Sequence, residues 1–312
     1  MEIHHGIPLH PIAHPIVTMG TFDGVHLGHQ KLIEQMVKDA KEKNGSSVLI
    51  TFHPHPKQVL YPDTEPIKML QTLEEKINFL QKTALDHLVI LPFSHEISRW
   101  SAEDFVRNVF VKGISAKKIY MGYDHRFGKN RTGNFSLMQE LATLYHFEIH
   151  QLPAVLKETS PISSTKIRTA VTNGEIAVAN QMLGHSFCLS GKVIHGKKLG
   201  RTIDVPTANI QIHNPHKMIP KFGVYLGIAM VEGDDNKYKA AINIGVRPTV
   251  DDEPRLHIEA HLISFNQDVY DKIITLELFE RIRDEQKFEH FDQLIQQIKS
   301  DIEWVKNYSI PL

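Results

Sequence analysis

Residues 15–43 read PIVTMGTFDGVHLGHQKLIEQMVKDAKEK, and this stretch decides the fold of the first half of the chain. Pro15–Phe22 is an apolar run that reads as a strand. Leu27–Lys43 has helical periodicity, with Leu32, Ile33, Met36, Val37 and Ala40 on one face. Gly20-Thr-Phe-Asp-Gly-Val-His-Leu-Gly-His29 joins the two. Gly24 and Gly28 let the backbone turn tightly and approach a ligand. The helix that follows offers unpaired N–H groups and the positive end of its dipole. His26 and His29 sit on that turn, where two imidazoles can donate hydrogen bonds to a phosphate as charge develops on it. The combination suits phosphate-ester chemistry at an α-phosphate without a covalent intermediate. A capping pair or a zinc pair are the other readings. Zinc wants further ligands, and no obvious ones stand nearby in the sequence.

The same alternation continues outward. Ser47–Phe52, His87–Phe93, Lys118–Tyr123 and Phe147–Pro153 read as strands. Thr72–Leu85, Ser101–Lys112 and Phe135–Tyr145 read as helices. Strands separated by helices imply parallel crossovers and a doubly wound sheet, α/β in class, with ligands at the carboxyl ends of the strands near the switch point. The pattern changes past residue 184. Phe187–Ile194, Gly223–Val231, Tyr238–Ile244, His257–Ile263 and Ile273–Phe279 are short β-like runs punctuated by Gly, Pro, Asn and Asp. They predict an antiparallel β-barrel or sandwich. Phe288–Tyr308 closes the chain as a helix. The expected domains are therefore 1–184 and 185–312.

Composition narrows the function classes. The chain has 312 residues, 41% hydrophobic and 23% charged, values typical of globular proteins. Lys+Arg total 35 against 36 Asp+Glu, so the basic surplus of a duplex nucleic-acid binder is missing. No apolar run approaches the ~18 residues that span a bilayer, and the N-terminus lacks a signal-peptide pattern. With the lone Cys188 this predicts a cytoplasmic protein without intramolecular disulfides, nucleic-acid partner or membrane partner. His4, His5, His10 and His14 crowd the N-terminus and read as a solvated leader. No feature of the sequence bears on oligomeric state.

Three further stretches carry chemistry. Ile162-Ser-Ser-Thr-Lys-Ile-Arg168 opens a helix with natural N-cap residues and two cations within one turn. It reads either as a polyphosphate clamp built from Ser164, Thr165 and Arg168 or as an ordinary capped surface helix; the first motif favours the clamp. Gly191-Lys-Val-Ile-His-Gly-Lys-Lys198 approaches a Walker A loop but ends in Lys198 and leads into no helix. Gly196 and Gly200, with the Lys and Arg around them, suit a phosphate lid. In Pro206-Thr-Ala-Asn209, Thr207 and Asn209 stand two residues apart on an extended segment and so point to one side. They are a plausible pair of hard oxygen ligands for Mg²⁺.

GTFDGVHLGH together with ISSTKIR resembles the nucleotidyltransferase module of bacterial FAD synthetases. Thr51-Phe-His-Pro-His-Pro56 and Gly122-Tyr-Asp-His-Arg-Phe-Gly128, with Arg131 and Gly133, extend the likeness. The stretch from Gly191 to Asn209 is similar to the riboflavin kinase module fused to those enzymes. Asn243-Ile-Gly-Val-Arg-Pro-Thr249, His257-Ile-Glu-Ala-His261 and Arg283-Asp-Glu-Gln-Lys-Phe288 agree. The resemblance covers nearly the whole chain. It implies ATP, riboflavin and FMN as partners. It assigns the ATP phosphates to His26, His29, Ser164, Thr165 and Arg168, the flavin to Asp124, Phe127 and Arg247, Mg²⁺–ATP to Thr207 and Asn209, and the role of base to Glu259.

Phe127 could equally be a core residue, and Glu259 a solvent-facing strand residue. Two departures stand out. His125 replaces the aromatic expected beside Asp124. Asp204-Val205 replaces Gly-Phe before Pro-Thr-Ala-Asn, which puts a Cβ and a negative charge beside the expected phosphates. At 4 Å, like charges cost about 1 to 4 kcal/mol depending on local dielectric, so a weakened kinase is expected. Two rival functions follow: a monofunctional FAD synthetase whose second domain binds ligand without efficient turnover, and a flavin-responsive regulator that binds RNA or protein. The neutral charge argues against the regulator.

Overall fold

The structure is a computed structural model that describes residues 1–64, 66–157, 160–196, 205–247 and 255–309. By packing, the chain divides into Met1–Ser163 and Ser164–Leu312.

The first unit is built on a six-stranded parallel sheet. Its strands are β1 (Glu2–His5), β2 (Pro15–Met19), β3 (Ser46–His53), β4 (His87–Pro92), β5 (Lys118–Gly122) and β6 (Glu148–Leu152), in the order β1-β4-β3-β2-β5-β6. Between them run helices α1 (Leu27–Glu42), α2 (Pro56–Leu60), α3 (Leu73–Leu80), α4 (His95–Arg99), α5 (Ala102–Phe105) and α6 (Phe135–Tyr145). The strand alternation sorts side chains into two cores, one on each face. Val17 and Met19 join Val48, Val89, Phe105 and Phe110, while Ile16 joins Leu32, Ile33, Met36 and Leu88. A doubly wound sheet is thus confirmed. β2 lies between β3 and β5, where the chain order reverses, so the loop after β2 opens at the switch point. A short hairpin, β7 (Leu156–Lys157) with β8 (Ser160–Pro161), completes the unit.

Two readings need correction. Of the N-terminal histidines, His4 and His5 belong not to a leader but to β1, which pairs in parallel with β4 in register Glu2↔His87, while His10 and His14 are exposed as expected. The helix expected over Ser101–Lys112 is α only through Phe105 and continues as a π-helix over Val106–Ile114, ending at Ser115 with positive φ.

The second unit is a closed antiparallel barrel of β9 (Phe187–Ile194), β10 (Ala208–Gln211), β11 (Gly223–Val231), β12 (Lys237–Arg247), β13 (Arg255–Leu262) and β14 (Ile273–Arg283), ordered β10-β13-β12-β11-β14-β9. Of the two architectures expected, the barrel is the one formed. Helix α9 (Phe291–Asn307) lies against its outer wall. Helices α7 (Ser164–Asn173) and α8 (Ile176–Leu183) also belong to this unit. Packing therefore divides the chain earlier than the expected 184/185. The reason is local: the Asn180 side chain donates to the Leu278 carbonyl of β14 and accepts from the Phe187 N–H of β9, and Lys221 N–H donates to the Val171 carbonyl. Strand periodicity marks where the barrel begins, not where its packing begins.

Candidate active sites

In the first unit the chain leaves β2 through a strained turn. Phe22 (φ 44°), Gly24 (φ 82°) and Val25 (φ 35°) all adopt positive φ. For a β-branched residue such as Val25 this is a true outlier, held by full burial. Two side chains from elsewhere fix the turn. Asp23, 1% exposed, accepts from the backbone N–H groups of Leu70 and Gln71. Lys76 of α3, 4% exposed, donates to the Thr21 carbonyl at 2.6 Å and reaches Thr51 Oγ1 of β3 at 3.5 Å. Burial pulls the Lys76 ammonium down to about 8, against the opposing pull of Asp23.

The turn delivers His26 to the N-cap of α1 in extended conformation, and its side chain makes no cap hydrogen bond. The capping reading fails there. The His26 and His29 rings stack, centroids 3.6 Å apart and 16° between planes, with Phe22 4.9 Å from His29. Gly28 makes this possible: a Cβ on it would stand 3.1 Å from His26 Cε1 and 3.2 Å from Nδ1. Burial, then the neighbouring His26 and Lys76, push the His29 pKa well below its usual value, so His29 is neutral at pH 7. Its Nδ1 is buried with no hydrogen-bond partner among the described residues. Such an atom costs about 1–3 kcal/mol unless something satisfies it. Among the described residues His26 and His29 join no three-ligand metal cluster.

The loop after β5 carries the expected flavin residues. Asp124 is exposed. Phe127 is 7% exposed, bridges Gly133 and packs with Phe105, so its burial matches the core reading. His125 lies 6.2 Å from Phe127 at 27°, and burial pulls its pKa to about 4, keeping the ring neutral.

In the second unit, Ser164 begins α7, with Thr165 exposed and Arg168 one turn on from Ser164. These three fall in a different unit from His26 and His29. Gly191 to Ile194 lie within β9, so the near-Walker stretch begins as strand, and its Lys197 and Lys198 lie outside the described residues. Gly200, Asp204 and the Arg247 side chain lie outside the described residues.

The barrel builds a second site on its outer wall. Asn209, Glu259, Asn243, Val224 and Arg283 are successive register partners across β10, β13, β12, β11 and β14. Paired residues share a face, so this row presents one side. Thr207, two residues before Asn209, shares that side. All but Asn209 line a cavity of about 360 Å³ whose far wall is Phe291, Leu294, Ile298 and Ile302 of α9. A second, more polar cavity of about 530 Å³ is lined by Pro206, Thr207, Asn266, Asp268 and Tyr270, so Thr207 borders both. Gly196 seats against Asn209: a Cβ there would come within 2.3 Å of its Nδ2. Glu259 Oε1 lies 2.7 Å from His257 Nε2, and His261 Nδ1 donates to the Pro206 carbonyl at 2.8 Å. Thr207, Asn209 and Glu259 offer only oxygen donors on this face, a set that fits Mg²⁺. α9 is held by Arg283, whose Nη2 and Nε contact Asp301 at 2.7 and 3.1 Å.

Sequence reasoning missed Asp23, Lys76, Asn243, His257 and the Arg283–Asp301 pair. One had a signal: Lys76 interrupts the Leu73–Ile77–Leu80 apolar stripe, and a lysine on a buried stripe must find a partner.

The FAD synthetase family profile matches residues 11–166, and the riboflavin kinase family profile matches residues 183–309. Curated relatives carry the name bifunctional riboflavin kinase/FMN adenylyltransferase. The Buchnera aphidicola (subsp. Schizaphis graminum) protein is 38% identical, covering 94% of this chain and 93% of its own. The Bacillus subtilis protein is 36% identical, with 96% and 95% covered, and the Escherichia coli K12 protein 33%, with 95% and 93%. A crystal structure described as a macrolide-efflux protein from Streptococcus pneumoniae is similar over 97% of this chain and 96% of that one, at 31% identity and a TM-score of 0.86. That likeness bears on fold. Among the described residues no helix is long and apolar enough to cross a membrane.

Proposed function

The chain belongs to the family of bifunctional riboflavin kinase/FMN adenylyltransferases, and on that premise we propose that it makes FMN from riboflavin and FAD from FMN, each time with ATP. The monofunctional alternative is not favoured, because the curated relatives bear both names over nearly the full chain. The observation that carries the reading is that each unit holds its own site: a stacked imidazole pair at the switch point, and a carboxylate–amide row facing a largely apolar cavity.

In adenylyl transfer, an FMN phosphate oxygen attacks the α-phosphorus of ATP. The bond to pyrophosphate breaks and pyrophosphate leaves. His26, neutral His29 and the first N–H groups of α1 hold the α-phosphate oxygens as negative charge grows on them. The buried Nδ1 of His29 supports this role, because a ligand supplies the partner it lacks. Asp124 is assigned to the flavin's neighbourhood. Phe127 supports the loop from the core.

In the kinase, the apolar cavity takes the flavin ring and the more polar one the nucleotide, with Thr207 on their common border. The ribityl hydroxyl gives its proton to Glu259 and its oxygen bonds to the γ-phosphorus as ADP leaves. Thr207 and Asn209 would hold Mg²⁺, which when bound neutralises phosphate oxygens. His257 orients Glu259. A cytoplasmic setting fits the substrates and the single cysteine.

The test is chromatography of products from riboflavin, ATP and Mg²⁺, and separately from FMN, ATP and Mg²⁺. The first should yield FMN and then FAD, the second FAD and pyrophosphate. His29→Ala should stop FAD formation in both assays while FMN still forms from riboflavin, and Glu259→Gln should stop only FMN formation. Loss of both reactions in either variant would sink the assignment of one site to each unit.

A further inference from the structure

Glu2, His4 and His87 take no part in either transfer. β1 and β4 pair in parallel, with Glu2 opposite His87 and His4 opposite Val89. A step of two residues keeps Glu2 and His4 on one face, and the register puts His87 there too. His4 Nε2 lies 3.1 Å from His87 Nδ1. Glu2 oxygens stand 3.9 Å from His4 Nε2 and 3.4 Å from His87 Nδ1. The three ligand atoms all fall within 4.8 Å of one another, and among the described residues this is the cluster with that property.

We propose that Glu2, His4 and His87 bind a divalent transition-metal ion of the zinc class, which clips the edge strand β1 to β4. At a Zn–N length of about 2.05 Å, nitrogens 3.1 Å apart subtend about 100° at the metal, close to tetrahedral. The two rings are largely covered, with 15% and 17% of their side-chain surface accessible, and so are preset. Glu2, at 66%, can swing in to close the third bond. Two imidazoles and one carboxylate leave a fourth position for water. Imidazole nitrogen selects zinc-like ions over Mg²⁺, so this site does not compete for the ion that accompanies ATP. The proton shared between the two rings is the one a metal ion displaces. Asp86 next door is committed elsewhere: its carboxylate accepts from Ser47 N–H and Oγ–H.

The experiment uses the full chain without a polyhistidine tag, stripped by chelator. It is titrated with Zn²⁺ against a chromophoric chelator and, separately, with Co²⁺ in a visible spectrometer. One tight equivalent of Zn²⁺ and the visible bands of four-coordinate Co²⁺ are expected. His4→Gln and His87→Gln should each weaken Zn²⁺ by at least about tenfold, since even outer-shell changes cost that much, and should abolish the Co²⁺ bands. His10→Gln and His14→Gln should change neither. Equal Zn²⁺ affinity in wild type and His4→Gln, or no Zn²⁺ bound by wild type at micromolar concentration, overturns the proposal. Should a histidine variant fail to fold, Glu2→Gln decides: unchanged affinity and an unchanged Co²⁺ spectrum there overturn it too.

Discussion

Gly28→Ala sets stability against catalysis at one atom. Gly28 is in the first turn of α1 without positive φ, so alanine should stabilise the helix by roughly 0.5–1 kcal/mol. That corresponds to a rise of about 1–4 °C in Tm for a unit of this size. The same Cβ would stand 3.1 Å from His26 Cε1, tighter than ordinary contact, so the ring must retreat by a few tenths of an ångström. His26 is stacked on His29 at 3.6 Å and 7% exposed, so it has little room to retreat without unstacking. Misplacing a reacting group by about 1 Å can cost 10²-fold; a few tenths should lower kcat for FAD formation from FMN by roughly 3- to 10-fold, with KM little changed. The assays are thermal unfolding and single-turnover adenylylation, each repeated in a His26→Ala background. If the loss passes through His26, adding Gly28→Ala to His26→Ala should cost nothing more. A Gly28→Ala enzyme with raised Tm and wild-type kcat would refute the need for the stacked pair.

Other outcomes follow from the same geometry. His29→Ala should lower FAD formation by about 10²-fold while leaving riboflavin phosphorylation intact, read by product chromatography. Lys76 has a folded pKa of about 8 against an ordinary 10.5, so the folded state binds fewer protons between those values and stability should rise with pH across that window. The full relief is about 3 kcal/mol, and denaturant unfolding of Lys76→Met should lack that rise. Asp301→Ala removes the carboxylate partner of Arg283, leaving it only the Asp284 carbonyl, and should cost about 3 kcal/mol in denaturant unfolding, with a raised KM for riboflavin as α9 loosens. Residues 1–184 expressed alone would expose Ile176, Ala179, Met182 and Leu183 of α8, and light scattering should show association.

Most of the fold was legible because burial writes a period into the sequence. The five longer strands of the barrel and the alternating elements of the parallel sheet all follow from it. β1 was missed because four residues, two of them histidine, carry no apolar alternation; only the register with β4 gives them a place. The π-helix was invisible because its Val109 and Phe110, with Phe105 just before it, fit an α-helical stripe equally well. At the sites, His26 and His29 could be found by spacing on a glycine turn. Lys76 and Asp23 act from separate segments, and Arg283 meets Asp301 across 18 positions, so only tertiary structure joins them. The row from Asn209 through Glu259 to Asn243 likewise depends on barrel register, which local pattern does not set.

Much of the apolar stripe on α9 faces a cavity. Phe291 is 58% exposed, and Leu294, Ile298 and Ile302 line the same space. A helix normally spends such a face on the interior. On the proposed function, a planar flavin ring would cover this face. Binding of a flavin there should therefore release ordered water from both surfaces and carry a negative heat-capacity change, visible in calorimetry as a binding enthalpy that grows more favourable with temperature.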